Sequence, residues 1–253
     1  MASSHYDLRK RLATGGPLLF SWMSVPSAVL AAQMARLPIE GVCLDMQHGL
    51  IGFPDAVGML AQINAAGRPA IVRCLWNEPG LVGQALDAGA CAVIAPMVNS
   101  RAEAEALVRA AKYPPVGGRS WGGYTALQTS GLEPADYLRE ANRLTMVFAM
   151  IETRTALAAV DEIAGTPDLD GIFVGPSDLS IALSNGAKLD RLGPDTLGAM
   201  EKIAAAARKH GRVAGAFGGT AEGIKAYLEG DLEVRALQGH FGAGAGSDGA
   251  HSR

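Results

Sequence analysis

The chain has 253 residues, 49% of them hydrophobic and 19% charged, with a formal net charge of -3. This is enough apolar mass for one large core or two small ones, and it excludes a basic surface for nucleic acid or a polybasic membrane anchor. Small-molecule metabolites are the expected partners. Cys43, Cys74 and Cys91 all fall in apolar strand-like runs without zinc-type spacing, so they are expected to be buried reduced thiols, which suits the cytoplasm.

At the amino end, Arg9-Lys10-Arg11 precedes a largely apolar stretch reaching Ala35, the outline of a secretory signal. Gly15-Gly16-Pro17 interrupts it, and no run reaches the roughly 18 to 20 apolar residues that span a bilayer. A strand over 18–23 and a helix over 27–36 account for the same residues. Further strands are expected at 42–44, 70–74, 91–95, 145–151, 171–174 and 212–217, and further helices at 54–66, 79–88, 101–111, 153–164 and 195–210. This alternation predicts an α/β protein, a single (β/α)8 TIM-type barrel domain over 1–253, with a doubly wound sheet as the alternative. Two stretches stand outside the repeat. Residues 113–140, bearing G-G-R-S-W-G-G-Y, form a long connection expected on the active-site side, where it would cover the site. An eighth strand is due near 231–237, but the tail dissolves into Gly, Ala and Ser.

The stretch 146–180 reads as β-α-β, with Glu152 just after one strand and Asp178 just after the next, behind the turn Gly175-Pro176-Ser177. Both acids therefore meet at the carboxyl ends of neighbouring parallel strands, where α/β folds build their sites. Converging carboxylates repel each other, and a hard divalent cation would hold them together. The alternative is that each simply caps the helix that follows it. Other strand ends offer Asp45, Gln47 and His48 in L-D-M-Q-H-G, and Arg73 in A-I-V-R. Asp87, in L-D-A-G-A, closes a helix. Two acids on a metal, one arginine for an oxyanion and one histidine for a proton make a set suited to enolate chemistry. Each also has a plainer role: His48 as a surface residue, Asp45 as a loop brace accepting backbone hydrogen bonds, Asp87 as a helix end. Arg73 is harder to dismiss, because a buried arginine needs an anionic partner.

In order along the chain, L-D-M-Q-H-G, A-I-V-R with W-N-E-P, L-D-A-G-A with I-A-P-M-V-N-S, G-R-S-W-G, M-I-E-T-R and G-I-F-V-G-P-S-D-L-S resemble the successive motifs of the HpcH/HpaI family of class II pyruvate aldolases. The resemblance spans about residues 17–228. It implies a barrel of the phosphoenolpyruvate/pyruvate kind and metal-dependent, reversible aldol cleavage of 4-hydroxy-2-oxo acids to pyruvate and an aldehyde through a metal-bound enolate. It implies Glu152 and Asp178 as ligands of Mg2+ or Mn2+, with Co2+ a further option and no organic cofactor. It makes His48 the catalytic histidine, Asp87 the acid that raises its basicity and Arg73 the transition-state stabiliser. Arg73 and the turn Gly175, Pro176, Ser177 and Asp178 would bind substrate, and the chain would form a homo-oligomer, trimer or hexamer. Lysis or decarboxylation of a related oxo acid such as oxaloacetate is the alternative chemistry, and a non-catalytic oxo-acid-binding scaffold the alternative of another class. The chain departs from the family pattern at Met150, where some members carry a substrate-binding glutamine, at Gln47, where a carboxylate is often found, and in its tail from about residue 229, where the last strand and helix are atypical.

Overall fold

The apolar runs become parallel strands in the order in which they occur. In the computed structural model, which describes residues 2–76, 78–229 and 236–239, these are β1 (Leu18–Met23), β2 (Gly41–Asp45), β3 (Ala70–Arg73), β4 (Ala92–Ala95), β5 (Met146–Ile151), β6 (Gly171–Val174) and β7 (Val213–Gly219). Each pairs in parallel with the next, giving a seven-stranded α/β sheet. A short β8 (Ala236–Gly239) pairs in parallel with β7 on one side and with β1 on the other. Residues 231–235 of the expected eighth strand, the remainder of the tail and Asn77 lie outside the described residues.

Strand parity assigns the side chains. Successive residues point to opposite faces, so Val42, Leu44, Val72, Val147, Ala149 and Ile151 pack outward in one cluster with the helices. Cys43, Ile71, Phe148, Met150 and Phe173 pack on the concave face with Phe20 and Trp22. The same parity turns Asp45, Arg73 and Glu152 inward at the carboxyl ends of their strands, and all three are buried. The three cysteines are free and buried, and desolvation pushes the Cys74 and Cys91 thiols up to about 12. No helix among the described residues is long and apolar enough to cross a membrane.

The amino-terminal segment folds into a helical turn and the helix Leu8–Ala13, which carries the basic residues that resembled a signal. Tyr6, Leu8 and Leu12 join the concave cluster. Arg9 and the buried Lys112 both bind Asp170, whose Oδ2 also accepts the Val147 N–H at 2.8 Å. These ions tie three segments together beneath β5 and β6.

The sequence reading needs several corrections. Residues 113–140 include the helices Tyr124–Ser130 and most of Pro134–Leu144. Because they follow the helix Arg101–Ala111 and lead into β5, they lie at the amino-terminal ends of the strands, opposite the active-site loops, and do not cover the site. The single helix expected at 153–164 is two short ones, Arg154–Ala158 and Val160–Ala164, broken at Ala159. The helices Leu8–Ala13 and Ala221–Glu229 were not anticipated, whereas Pro176–Leu183 is the helix expected to start at the Asp178 turn.

Candidate active site

At the carboxyl ends of the strands lies a cavity of about 260 Å³. His48, Arg73 and the whole turn Gly175, Pro176, Ser177 and Asp178 line it, as the sequence predicted, and so do Trp22, Asp45, Met150 and Phe217. Glu152 stands just behind this wall: a Cβ on Gly175 would collide with its Oε2. Only glycine leaves the space in which the acid sits beside the turn.

Asp45 is the pivot of the site. Its Oδ1 accepts Arg73 Nε at 2.9 Å and the backbone N–H groups of Gln47 and His48 at 3.0 and 3.1 Å. Its Oδ2 accepts Arg73 Nη2 at 2.5 Å and the Trp22 indole N–H at 3.0 Å. The Arg73 guanidinium lies 4.7 Å from the centre of the Trp22 ring, a stacked cation. Asp45 is thus both the loop brace read from the sequence and the anionic partner that a buried arginine requires. Burial pushes its carboxyl up, but the Arg73 hydrogen bonds and charge, with those from His48 and Trp22, outweigh this and hold it below the ordinary value.

Glu152 is almost wholly buried, whereas Asp178 is exposed. Desolvation raises Glu152 to about 7; the Met97 N–H and the Arg73 charge oppose the rise, and the Asp178 charge adds to it. The Met97 N–H reaches Glu152 Oε1 at 2.7 Å from a residue at φ 58°, a left-handed conformation that is costly without glycine. Among the described residues no hydrogen bond reaches the Asp178 carboxylate, and no group of three or more His, Cys, Asp or Glu side chains is disposed to hold a metal. Glu152 and Asp178 would therefore offer a cation two carboxylates. That suits a hard cation which keeps waters or substrate oxygens in its remaining positions and does not suit a soft metal that wants thiolates or imidazoles.

Gly175 is the N-cap and Pro176 the first residue of the helix Pro176–Leu183. The N–H groups of Ser177 and Asp178 fall in its first turn, where a helix has no internal acceptor for them. An anion such as a carboxylate is the natural ligand of such a turn.

One predicted residue is not brought to the site. Asp87 ends the helix Pro79–Asp87, which begins beyond the carboxyl end of β3 and finishes at the start of β4. There its Oδ1 accepts Arg119 Nη2 at 2.5 Å, and Arg119 also lies over the Tyr113 ring. Asp87 and His48 are at opposite ends of the strands, so the expected pairing is not made within one chain. Trp22, Phe217 and the Met97 amide were missed. Trp22 alone carried a signal, since it shares its strand face with Phe20.

The residues 19–237 match the family described as HpcH/HpaI aldolase/citrate lyase. A hydroxypyruvate/pyruvate aldolase of Rhizorhabdus wittichii is 38% identical over 206 residues, 81% of each chain. A 4-hydroxy-2-oxo-heptane-1,7-dioate aldolase of Klebsiella pneumoniae is 31% identical over 218 residues, 86% of this chain and 82% of that one. The crystal structure of an HpcH/HpaI aldolase/citrate lyase family protein from Burkholderia cenocepacia superposes with a TM-score of 0.83 at 31% identity, covering 93% of both chains. On this match across most of its length, and on the site it encloses, the chain is an enzyme of the HpcH/HpaI aldolase/citrate lyase family.

Proposed function

We propose that the protein is a divalent-metal-dependent pyruvate aldolase, cleaving 4-hydroxy-2-oxo acids reversibly to pyruvate and an aldehyde. The observation that carries this reading is the convergence of Glu152, Asp178, Arg73, His48 and the Ser177–Asp178 amides around one cavity. Glu152 and Asp178 would hold the cation, Mg2+ or Mn2+ by the hardness of its two oxygen donors, and the bound ion would supply Lewis-acid polarisation of the 2-oxo group.

The chain's own groups divide the remaining work. The Ser177 and Asp178 N–H groups bind the substrate carboxylate. His48 accepts the proton of the 4-hydroxyl, the C3–C4 bond breaks, and the aldehyde departs. Arg73, fixed by Asp45 and Trp22, stabilises the negative charge that develops on the former 2-oxo oxygen. Return of a proton to C3 completes pyruvate, and synthesis runs the same steps backward.

Two family expectations, a dyad of Asp87 with His48 and a homo-oligomer, are compatible with this geometry together: Asp87 can serve His48 only from a second copy of the chain. We further read the chain as one cytoplasmic domain and a complete (β/α)8 barrel, supported by the pairing of β8 with both β7 and β1.

The test is pyruvate release from a simple 4-hydroxy-2-oxo acid, coupled to lactate dehydrogenase. Turnover by the wild type and its loss in Glu152→Ala, Asp178→Ala and His48→Asn are expected. Full turnover in a folded Asp178→Ala variant would overturn the reading.

A further inference from the structure

We infer that Arg191 is a specificity-determining residue that selects substrates carrying a second anionic group on the aldehyde half. This inference rests on the aldolase reading above. Its starting point is the wall of the cavity. The Arg73 guanidinium stacks on Trp22, and the Trp22 ring meets the Phe217 ring edge-on, with centroids 4.8 Å apart. Beyond Phe217, at the carboxyl end of β7, Gly219 adopts φ +71°; a Cβ there would strike Arg191 Nη1 and would stand 3.4 Å from Phe217 Cε1. Arg191 and Phe217 therefore flank Gly219, one step beyond a residue that lines the cavity, and the glycine leaves the guanidinium its space. The wall runs from the Arg73 cation across two aromatic rings, Trp22 and Phe217, and Arg191 stands behind Phe217, outside the lining itself.

The two cations are in different states. Arg73 is neutralised by Asp45. Elsewhere the buried and partly buried arginines are also occupied: Arg212 caps backbone carbonyls, Arg9 binds a carbonyl and an acid, and Arg11 and Arg119 pair with acids. Arg191 is half-buried, yet among the described residues its side chain has neither an acid nor a carbonyl partner. Its loop is anchored instead through the backbone, where the Arg191 carbonyl accepts the Tyr227 hydroxyl at 3.5 Å. A guanidinium held beside a cavity-lining ring, with no acid or carbonyl partner among the described residues, is suited to a carboxylate, sulfonate or phosphate arriving with the ligand, which it can bind by two parallel hydrogen bonds. The pyruvate half occupies the inner end, at Arg73 and the Ser177–Asp178 turn. The group that meets Arg191 must therefore belong to the aldehyde half, separated from the reacting carbon by an apolar segment lying against Trp22 and Phe217.

The experiment uses the full-length protein with metal and pyruvate. Acceptors are a series of ω-oxo carboxylates of two to five carbons, each paired with the neutral straight-chain aldehyde of equal length, and the readout is the acid-to-neutral ratio of kcat/KM. In the wild type the ratio exceeds one for at least one chain length. In Arg191→Gln it falls at that length by about 10- to 100-fold, the size expected for loss of a charge-assisted hydrogen bond. Arg191→Lys keeps part of the preference, showing that charge and not loop packing is responsible. A ratio that Arg191→Gln leaves unmoved at every length, while neutral aldehydes turn over, overturns the inference and leaves the aldolase reading standing. No turnover of any aldehyde by the metal-loaded wild type overturns both.

Discussion

Replacing Asp45 by alanine removes the acceptor of five hydrogen bonds, two from Arg73 and one each from Trp22, Gln47 and His48. The dominant cost is Arg73, which stays buried without its counter-charge; breaking one side of such a pair costs about 3 to 5 kcal/mol. Against a total stability of about 5 to 15 kcal/mol for a domain, that is a large fraction, and it is measurable as a shift in the urea midpoint at unchanged slope. The activity should suffer as well, through kcat more than KM, because Arg73 loses the carboxylate that aims it and His48 loses the anchor of its loop. Asp45→Asn keeps the shape but not the charge, and should fall between wild type and alanine. It also changes the acid limb of stability. Asp45 has a depressed carboxyl in the folded state, so its contribution is full above the ordinary value of 3.8 and is lost as pH falls through the lowered one; the asparagine variant lacks that dependence. An Asp45→Ala protein losing less than about 1 kcal/mol, with wild-type kcat, would refute this account of the site.

Glu152, raised to about 7 by burial, must give up its proton to hold a cation. Mn2+ affinity measured by calorimetry should weaken as pH drops below about 7, with proton release on binding; a constant affinity from about pH 5.5 to 8 would contradict this. In the metal-free protein the folded state binds that proton more tightly than the unfolded chain does, so stability should decline as pH rises from about 4.5 to about 7 and level off above. Lys112→Met leaves Asp170 with one cation where it had two, and should cost about 1 to 3 kcal/mol in urea unfolding without altering KM. If Asp87 acts across subunits, mixing inactive Asp87→Asn and His48→Asn proteins should recover part of the activity, since some sites then receive both intact residues. No recovery from chains shown to exchange would place Asp87 outside catalysis.

What could be read in advance follows from how local each signal is. The strands were legible because each is a run of mostly buried apolar residues, as at Val147 to Ile151, and the placement of Glu152 and Asp178 at one end of the sheet was legible because one follows such a run directly and the other after a three-residue turn. Helix Pro134–Leu144 was also readable in principle, with Pro at its start and Tyr137, Ala141 and Leu144 on one face. The glycines of 117–123 obscured it by marking the whole stretch as loop. The Trp22–Asp45–Arg73 assembly was not legible, because it joins three strand ends through contacts 23 and 28 residues apart. Nor was the position of Asp87, since an acid at the end of a helix looks the same in sequence whichever end of the strands that helix finishes at. Residue type and spacing identify a site's chemistry only when the fold has brought the residues to the same end of the sheet.

The most direct test of the central claim is pyruvate release from a 4-hydroxy-2-oxo acid before and after chelation. With EDTA the rate should fall to background, and restoring Mg2+ or Mn2+ should return it, in wild type but not in Glu152→Ala. Undiminished pyruvate release from protein shown to be metal-free would contradict the claim that Glu152 and Asp178 work by holding a divalent cation.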